Sequence, residues 1–527
     1  MITEKFFIKD WRTIDFSFGL IYPNVYKLGM SSYSIRLLYF LINSYENVAC
    51  ERIFLPENIR YPAGKDFTSI NELRSIENKI LPNEFDILGF SLHFENDFKN
   101  TLWILEKSNI PLTSQERLIL AKEKKEPYPI IIGGGPVVTS NPLPLSKIFD
   151  LFFIGDSEPN LDLFFKIFLD FKENKIEFYE LLKKATEIKG IFIPLLNNKV
   201  ERSILEKLDN SPIPIYQINS KTASKNNIFL GNFFVEINRG CPFQCKFCIS
   251  SFHNFPFRNR SYENIINAID LGIKSSDFDT ISLIGSCVSS HPKFKEICQY
   301  IISKEKRLTI PSIRVEHISN EIIDMLEMGD IKTITIAPEA GTEDLRYELG
   351  KKISNDKIYS VLTQIKDSKI RNIKFYFLIG LPNERDENVE DIIELLKNIT
   401  NIGFENNSLR VNINPFIPKL NTPYEKEIDF YLKENFPKLK KDFLKLEQEL
   451  KKISSIKIKF KNTKEIIKNA RLQTIFSLGD QTVSDLLINY YKSGAHFGAL
   501  RKVEKEMNFS LDEYLLKIKD CYCPWRI

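Results

Sequence analysis

Short apolar runs that end in glycine or a polar residue alternate with helical patterns along most of this chain. Two blocks show the alternation, residues 1–172 and residues 233–424. The pattern is typical of α/β folds, in which each strand is followed by a helix that returns the chain to the same edge of the sheet. We therefore expect functional side chains at the carboxyl ends of the strands, where such folds place their sites.

The first block, residues 1–172, is predicted to be a doubly wound, Rossmann-like open sheet. Its helical patterns lie at about 32–45 and 95–107. Residues 173–232 follow as a linker region, because the pattern weakens there and the stretch is rich in Pro, Ser and Asn. The strands predicted in the first block are 18–26, 85–92, 128–135 and 151–156.

The second block, residues 233–424, holds six strand candidates separated by amphipathic helices. Six such units predict a partial (β/α)6 barrel of the TIM type rather than the full eightfold barrel. Residues 425–527 are predicted to be mainly helical, and their lysine-rich stretch 431–452 is either a solvated amphipathic helix or a basic face for RNA. The six predicted strands are 233–240, 280–286, 312–316, 333–340, 373–380 and 409–416.

Composition excludes several functional classes. The formal net charge is only +4, so charge alone gives no strong reason to expect nucleic acid. No apolar run approaches the ~20 residues of a membrane span, and the charged N-terminus shows no signal-peptide pattern. Eight cysteines are too few for a disulfide scaffold in a chain of this length. These features predict a cytoplasmic protein without a membrane partner.

Three of the cysteines form a compact motif directly after the first strand of the second block. Cys241, Cys245 and Cys248 have the spacing C-x3-C-x2-C within RGCPFQCKFC. Thiolates bind iron–sulfur clusters, and three of them leave one iron of a cubane cluster open for a chelating substrate. A structural zinc site is the alternative, but it needs a fourth ligand, for which only Cys521 and Cys523 form another close pair.

The run CPFQCKFC resembles the signature of radical S-adenosylmethionine (SAM) enzymes. In that family three cysteines hold a [4Fe-4S] cluster, and the amino and carboxylate groups of SAM chelate the fourth iron. Reductive cleavage of SAM then gives a 5′-deoxyadenosyl radical that abstracts hydrogen from a substrate. The resemblance implies Cys241, Cys245 and Cys248 as cluster ligands, SAM as second cofactor, and a reductant such as ferredoxin or flavodoxin.

The same resemblance implies SAM contacts from the first half of the barrel. Phe247 occupies the aromatic position expected near the adenine. In ISLIGS, Gly285 and Ser286 stand where the family has a short motif beside the methionyl amino group, although the acidic end of that motif is missing here. Apart from the resemblance, Gly285 would serve only a turn.

Further SAM contacts are implied in the second half of the barrel. In IAPEAGTEDLR, Glu339 corresponds to a polar residue on the ribose or methionyl part, and Arg346 is expected to pair with the methionyl carboxylate. Ile379 in FLIGLPNERDE corresponds to a residue near the adenine. An ordinary ion pair at the start of a helix is the alternative for Glu339 and Arg346.

The upstream block resembles the N-terminal domain of radical SAM enzymes with a cobalamin-binding-like domain, an incompletely characterised branch. The stretches NVYKLGMSSYSIRLLY and FDILGFSLHFEND carry much of this resemblance. Tyr26 and Asn24 replace the histidine that would coordinate cobalt and its acidic partner, which counts against cobalamin. His93, beyond a strand end, is either a ligand or a packed residue. A retained fold that docks substrate is the alternative to a cobalamin site.

The resemblance predicts an enzyme but leaves its reaction open. Methyl transfer follows if cobalamin binds, and another hydrogen-abstraction reaction follows if it does not. Methylthiotransferases carry a second cluster on three N-terminal cysteines, whereas the N-terminal block here has only Cys50. An iron–sulfur scaffold that transfers electrons without cleaving SAM, and a radical enzyme that modifies RNA, are the competing functions.

Overall fold

The computed structural model describes residues 7–57, 59, 61, 73–124, 128–217, 231–275, 278–385, 387–458, 462–508, 510–517 and 523–525. Contacts group the chain into two compact units. Unit 1 comprises Met1–Glu206, Asn210–Leu230 and Leu472–Ile527, and unit 2 comprises Lys207–Asp209 and Gly231–Arg471. The four-part division predicted from the sequence, with boundaries at 172, 232 and 424, stays a prediction.

Unit 1 is built on a six-stranded sheet with the order β2-β1-β3-β4-β5-β6. All neighbouring strands are parallel except β5 and β6, which are antiparallel. This order, in which β1 lies between β2 and β3, is that of a doubly wound sheet. The strands are β1 Phe16–Val25, β2 Val48–Leu55, β3 Ile87–Ser91, β4 Ile130–Gly134, β5 Leu151–Phe153 and β6 Ile191–Phe192.

Helices cover this sheet through a core rich in aromatic rings. The ring of Phe16 in β1 lies 5.0 Å from that of Phe165 and 5.1 Å from that of Phe168. The helices of this part of the chain are α1 Tyr26–Gly29, α2 Tyr33–Asn43, α3 Phe98–Lys107, α4 Ser114–Lys124, α5 Pro136–Ser140, α6 Leu161–Lys172 and α7 Phe178–Ala185.

Strand β2 was missed by the sequence prediction because charged residues interrupt its apolar run. All eight of its residues are nevertheless buried. The Arg52 guanidinium donates to Glu77 at 2.7 Å, and the Glu51 carboxylate accepts from Trp11 at 2.8 Å. Burial of a charged group is tolerated where it is paired and hydrogen-bonded. The partners of these two residues are distant in sequence, so no local pattern predicts the strand.

Unit 2 contains two parallel sheets, of order β11-β10-β7 and β12-β13-β14-β15, and a short antiparallel ribbon of β8 and β9. The amide of Ile313 donates to the carbonyl of Thr335 at 3.3 Å and so connects the two sheets. The strands are β7 Asn232–Glu236, β8 Asn238–Arg239, β9 Arg258–Asn259, β10 Thr280–Ile284, β11 Arg307–Thr309, β12 Thr333–Glu339, β13 Asn372–Ile379, β14 Leu409–Pro415 and β15 Ile456–Ile458.

Strands β7, β10, β11, β12, β13 and β14 alternate with helices, which confirms the predicted partial barrel. The third predicted strand, 312–316, is wrong. The paired strand is β11, and Val315–His317 forms a 3-10 turn. Pro311 lies between them, and its missing amide hydrogen disfavours continuation of a ladder. Strand β15, which pairs with β14, was not predicted.

The helices of the second half of the chain begin with hydroxyl caps in three cases. Ser319, Thr342 and Ser354 accept from backbone amides of the first turns of their helices at 3.4, 3.3 and 3.2 Å. The helices are α8 Ile249–Phe252, α9 Tyr262–Ser275, α10 Phe294–Ser303, α11 Asn320–Met328, α12 Glu343–Glu348, α13 Asn355–Lys366, α14 Asn388–Thr400, α15 Ile428–Phe430, α16 Phe436–Leu450, α17 Thr463–Leu478, α18 Thr482–Lys492, α19 Phe497–Glu506 and α20 Leu511–Lys517.

Helices α18, α19 and α20 belong to unit 1, and α17 spans the boundary between the two units in the chain. The side-chain amide of Asn141 donates to the backbone carbonyl of Gly479 at 2.8 Å. The hydroxyl of Ser484 donates to the backbone carbonyl of Pro144, also at 2.8 Å. None of the helices within the described residues combines the length and the apolar character that a membrane span requires.

Candidate active site

The three motif cysteines lie on a loop whose base is closed by the β8–β9 ribbon. Asn238 pairs with Asn259, and Arg239 with Arg258, on either side of the loop. Gly240 enters the loop with φ +79°, and a Cβ atom there would lie 2.4 Å from the carbonyl oxygen of Asn254. Only glycine fits this conformation and this space without strain. The ribbon and the glycine together fix the geometry of the loop before any ligand binds.

The thiols sit in a partly buried environment in which two cations, each ion-paired with a carboxylate, lie near Cys245. Cys245 is buried, whereas Cys241 and Cys248 are half-buried. Burial raises the pKa of Cys245, while the nearby cations Lys351 and Arg314 oppose that shift. Cations beside a thiol favour the thiolate, which is the form that binds iron.

The donor set fits a [4Fe-4S] cluster better than a single metal ion. Among the residues described, no three His, Cys, Asp or Glu side chains are arranged as ligands of one metal ion. A cubane cluster takes one thiolate on each of its irons, so its ligands need not converge on a point. Of the C-terminal pair considered for zinc, Cys523 is buried and Cys521 lies outside the described residues.

A fourth thiol lies beside the motif and was not assigned to the site from the sequence. Cys287 follows β10, and its sulfur lies 3.2 Å from the hydroxyl of Ser290. The interaction between the thiols of Cys241 and Cys287 raises the pKa of Cys241 and lowers that of Cys287. Its proximity depends on the pairing of β7 with β10, which no local spacing reveals.

Phe247 packs beside an apolar cluster at the strand ends, and its contact with the adenine stays a prediction. It packs against a buried cluster formed by residues that follow three successive strands of the second sheet. Ala340 follows β12, Leu381 follows β13 and Phe416 follows β14. Phe247 therefore reaches the carboxyl ends of these strands.

Glu339 ends β12 in an unusual backbone conformation. Its φ is +72°, and the register between β12 and β13 shifts just before it. Such bulges re-aim side chains, and strained residues of this kind cluster at functional sites. Its carboxylate accepts from Lys351 at 2.9 Å. Lys351, which also acts on Cys245, is a site residue that the sequence reasoning missed.

Arg346 is already committed to the protein backbone. Its side chain is fully buried, and it donates to the carbonyls of Ile353 at 2.9 Å and of Ala340 and Gly341 at 3.0 Å. A further donor reaches the amide oxygen of Asn355. These bonds use four of the five N–H donors of the guanidinium, so the bidentate pairing with a carboxylate predicted from the sequence requires at least one of them to break.

Gly285 and Ser286 follow β10 and Ile379 ends β13, and their contacts with SAM stay predictions. A Cβ atom on Gly285 would lie 2.1 Å from the side-chain oxygen of Asn238, so this glycine permits close packing against β8. Ser286 is exposed. Ile379 is fully buried, and its carbonyl accepts from the amide of Phe416 at 2.8 Å.

The candidate cobalamin positions of unit 1 are occupied by internal contacts. The ring of Tyr26 packs on Phe54 at 5.2 Å, and the amide of Asn24 donates to Asp97 at 3.0 Å. Residues 24–29 thus supply no imidazole and do not fit histidine-ligated cobalamin.

His93, the other ligand candidate in unit 1, is bonded within the protein. Its Nε2 lies 3.0 Å from the hydroxyls of both Ser34 and Ser91, and its ring packs 5.3 Å from that of Tyr22. Burial lowers the pKa of His93 to about 4. The imidazole is therefore held neutral by its surroundings.

Two family models match the chain. Residues 34–194 match the N-terminal region of radical SAM proteins, and residues 235–396 match the radical SAM superfamily. The second match contains the cysteine loop, the β10 end and the Glu339–Lys351 pair.

Curated relatives agree with these matches. An uncharacterised protein of Methanocaldococcus jannaschii is 27% identical over 504 residues, which are 95% of this chain and 96% of that protein. A tRNA-2-methylthio-N(6)-dimethylallyladenosine synthase of Lawsonia intracellularis is 26% identical over 214 residues, 36% of this chain and 44% of that protein.

Solved structures share the fold. The radical SAM methyltransferase TsrM from Kitasatospora setae, with cobalamin and a [4Fe-4S] cluster bound, matches with a TM-score of 0.52 at 13% identity, over 79% of this chain and 75% of that one. The cobalamin-dependent radical SAM enzyme OxsB matches with 0.53 at 14% identity, over 96% and 83%. Because both family models that match the chain describe radical SAM proteins and together span more than half of it, this chain belongs to the radical SAM superfamily, whose enzymes use a [4Fe-4S] cluster and SAM.

Proposed function

We propose that this protein cleaves SAM reductively at a cluster held by Cys241, Cys245 and Cys248, and that the resulting radical modifies a substrate. The ribbon-closed loop that carries all three thiols at the strand ends is the observation that supports this most directly. The cluster, when bound, supplies the electron that breaks the SAM sulfonium bond. A ferredoxin or a flavodoxin is the proposed reductant.

The chain's own residues bind and orient SAM in this proposal. The ammonium of Lys351 and the guanidinium of Arg314 lie near Cys245, and we assign the SAM carboxylate to these cations instead of Arg346. Glu339 accepts a hydrogen bond from the amino group or the ribose. Phe247 covers the adenine, and the backbone after β10 and β13 lines the remaining surface.

The test is anaerobic reconstitution of the full-length protein with iron and sulfide, followed by dithionite and SAM. We expect a cluster of four irons and formation of 5′-deoxyadenosine. Replacement of Cys241, Cys245 and Cys248 by alanine should remove both, whereas Cys298→Ala, in the buried core of α10, should keep both. Cleavage by the triple variant would contradict the proposal, and a stable cluster without cleavage would favour the electron-transfer scaffold.

Methyl transfer with cobalamin is a second candidate reaction. The fold shared with TsrM over most of the chain supports it, and the internal contacts of Tyr26, Asn24 and His93 count against a histidine-ligated form. We expect any bound cobalamin to lack an imidazole ligand from residues 24–29. Equilibrium dialysis against cobalamin, read by visible absorption, tests binding. SAM with a deuterated methyl group tests whether that methyl reaches a product.

RNA modification has weaker support. The Lawsonia relative is a tRNA-2-methylthio-N(6)-dimethylallyladenosine synthase, but that match covers only 36% of this chain. Lysines of the predicted basic stretch are ion-paired, as in Lys445–Glu390 and Lys452–Glu449. Cys50, the one cysteine of the N-terminal block, is fully buried in β2, which does not favour a second cluster of the methylthiotransferase type. Binding of tRNA that weakens steeply with salt would support an RNA substrate. Absence of tRNA binding at low salt would contradict an RNA substrate.

A further inference from the structure

The second sheet of unit 2 has one apolar face and one polar face. Along β13, the alternate residues Ile373, Phe375 and Phe377 are buried, whereas Lys374 and Tyr376 between them stay accessible to solvent. In a β/α barrel the helices cover the outer face of the strands, so the apolar face is the outer one and the polar face lines the interior. Bulky apolar side chains usually fill that interior. A polar and accessible interior face therefore indicates a cavity inside this barrel.

Three cations stand side by side on the interior face. Lys374 in β13 is in register with Arg410 in β14, and Arg410 is in register with Lys457 in β15. Residues in register on neighbouring strands point to the same face and lie about 4.8 Å apart. Arg410 and Lys457 are both exposed, and Lys374 is half-buried. We call these three residues the cation row.

The cation row has no matching row of carboxylates. Among the described residues, no side chain or backbone group forms an ion pair or a hydrogen bond with the side chain of Arg410 or of Lys457. Glu339, at the end of β12, is paired with Lys351 instead. Like charges that face each other on neighbouring strands destabilise a sheet. An anion bound to the row would remove this repulsion.

We propose that the cation row binds the diphosphate group of a small-molecule substrate, an inference that rests on the proposed function. Guanidinium and ammonium groups are the usual phosphate binders of proteins, and the planar guanidinium of Arg410 bonds two phosphate oxygens at once. A diphosphate carries its negative charge on two linked phosphoryl groups. It therefore contacts more than one cation of the row at the same time, which a single carboxylate does less well.

The position of the row also sets the shape of the substrate. Arg410 lies five residues before Pro415, the last residue of β14, which is about 16 Å along the strand. The proposed cluster and SAM lie beyond the strand ends, so the substrate is elongated, with its diphosphate at one end and its reacting carbon at the other. Asn414 and Tyr376, both exposed on the same face, offer hydrogen bonds to a polar body between the two ends.

Isothermal calorimetry with inorganic pyrophosphate, at fixed ionic strength and without SAM or reductant, tests the row in the full-length protein. Arg410→Gln is compared with Arg371→Gln, which removes the same charge from an exposed position just before β13. We expect saturable binding to wild type and control, and a dissociation constant at least tenfold higher for Arg410→Gln. Circular dichroism checks folding. Absence of saturable binding to wild type, or equal affinity in all three proteins, would overturn the proposal.

This measurement separates the inference from the proposed function, because no SAM is cleaved in it. Pyrophosphate binding by a wild-type protein that forms no 5′-deoxyadenosine would contradict the proposed function and keep the anion site. Formation of 5′-deoxyadenosine without pyrophosphate binding would do the reverse.

Protection of lysines from acetylation provides the second readout and shows where the anion binds. The full-length protein is treated with limiting acetyl N-hydroxysuccinimide ester, with and without pyrophosphate, and each lysine is followed by mass spectrometry. We expect pyrophosphate to slow acetylation of Lys457 severalfold and to leave Lys369, exposed before β13, unchanged. Equal rates at Lys457 would contradict the proposal. Protection of Lys457 by an RNA oligonucleotide but not by pyrophosphate would overturn it in favour of a nucleic acid.

Discussion

The candidate sites of unit 1 and unit 2 both lie at the carboxyl ends of parallel strands. They differ in how far the side chains there are already bonded within the protein. In unit 1, Tyr26 packs on Phe54 and His93 is bonded to two serines. In unit 2, three cysteine side chains share one loop, and Lys351 stands beside them.

The difference teaches that topology alone does not make a site. A ligand at a strand end needs donor atoms that the protein has not already used. Arg346 shows the same rule inside unit 2, because its bonds to three carbonyls commit it to the fold although its sequence position suggested a ligand. The two regions therefore differ less in strand order than in how far the side chains at their strand ends are already bonded within the protein.

The largest expected effect comes from breaking the base of the cysteine loop. In Gly240→Ala, a methyl group meets the Asn254 carbonyl and φ stays unfavourable for alanine. We expect a loss of roughly 4 kcal/mol in the free energy of unfolding and a collapse of iron content. Chemical denaturation and iron analysis measure both. Gly231→Ala is the matched control, because no atom lies within 4 Å of a Cβ atom there. Equal effects in the two variants would contradict the role of the loop base.

A second prediction concerns Glu384 in unit 2. Burial raises the pKa of Glu384 to about 7, so its contribution to stability is present at low pH and is lost as pH rises from about 4.5 through 7. We expect wild type to lose about 3 kcal/mol over this window relative to Glu384→Gln. Urea denaturation at several pH values measures the difference. Parallel pH profiles for the two proteins would show that the carboxyl titrates normally.

The opposite sign is expected for His93 in unit 1. Its pKa is lowered to about 4 by burial, so its contribution to stability is present above pH 6.5 and is lost as pH falls toward 4. The loss relative to His93→Asn is expected to be up to about 3 kcal/mol, completed only below pH 4. Burial raises the pKa of Asp97 to about 6, so this carboxyl titrates in the same pH window. It is present in both proteins, and its contribution to stability therefore cancels in the comparison of wild type with His93→Asn. Direct titration of the imidazole by NMR checks the assignment, and a pKa near 6.5 would refute it.

The smallest expected effect tests the cation that is bonded to Glu339 in the candidate site. Lys351→Met removes a cation beside Cys245 and Glu339, and we expect the SAM dissociation constant of the reconstituted protein to rise about tenfold, which corresponds to ~1.4 kcal/mol. Lys352→Met, one residue further and exposed, is the matched control. Isothermal calorimetry of anaerobic protein measures the affinity. Unchanged SAM affinity in Lys351→Met would contradict a role for Lys351 and leave Arg314 as the partner of the SAM carboxylate.

The cysteine loop could be predicted from the sequence because its spacing is local and its strand is strongly apolar. Strand β2 could not, since Arg52 is stabilised by Glu77 through a contact made only after folding. The same reason hid Cys287 and Lys351, whose roles depend on neighbours from other strands. It also explains why Arg346 was predicted to bind the SAM carboxylate, because the sequence shows the charge and its position but not the hydrogen bonds that the guanidinium makes in the fold.

The ribbon of β8 and β9 has a consequence for the order of events during synthesis. It closes a short loop by local pairing, and short loops cost little entropy to close. All three motif thiols lie inside that loop and precede every strand of the second sheet in the chain. The cysteine loop can therefore close before the strands of the second sheet are synthesised, and later segments then fix it further, as in the bond from the amide of Lys246 to the carbonyl of Leu349 at 3.0 Å.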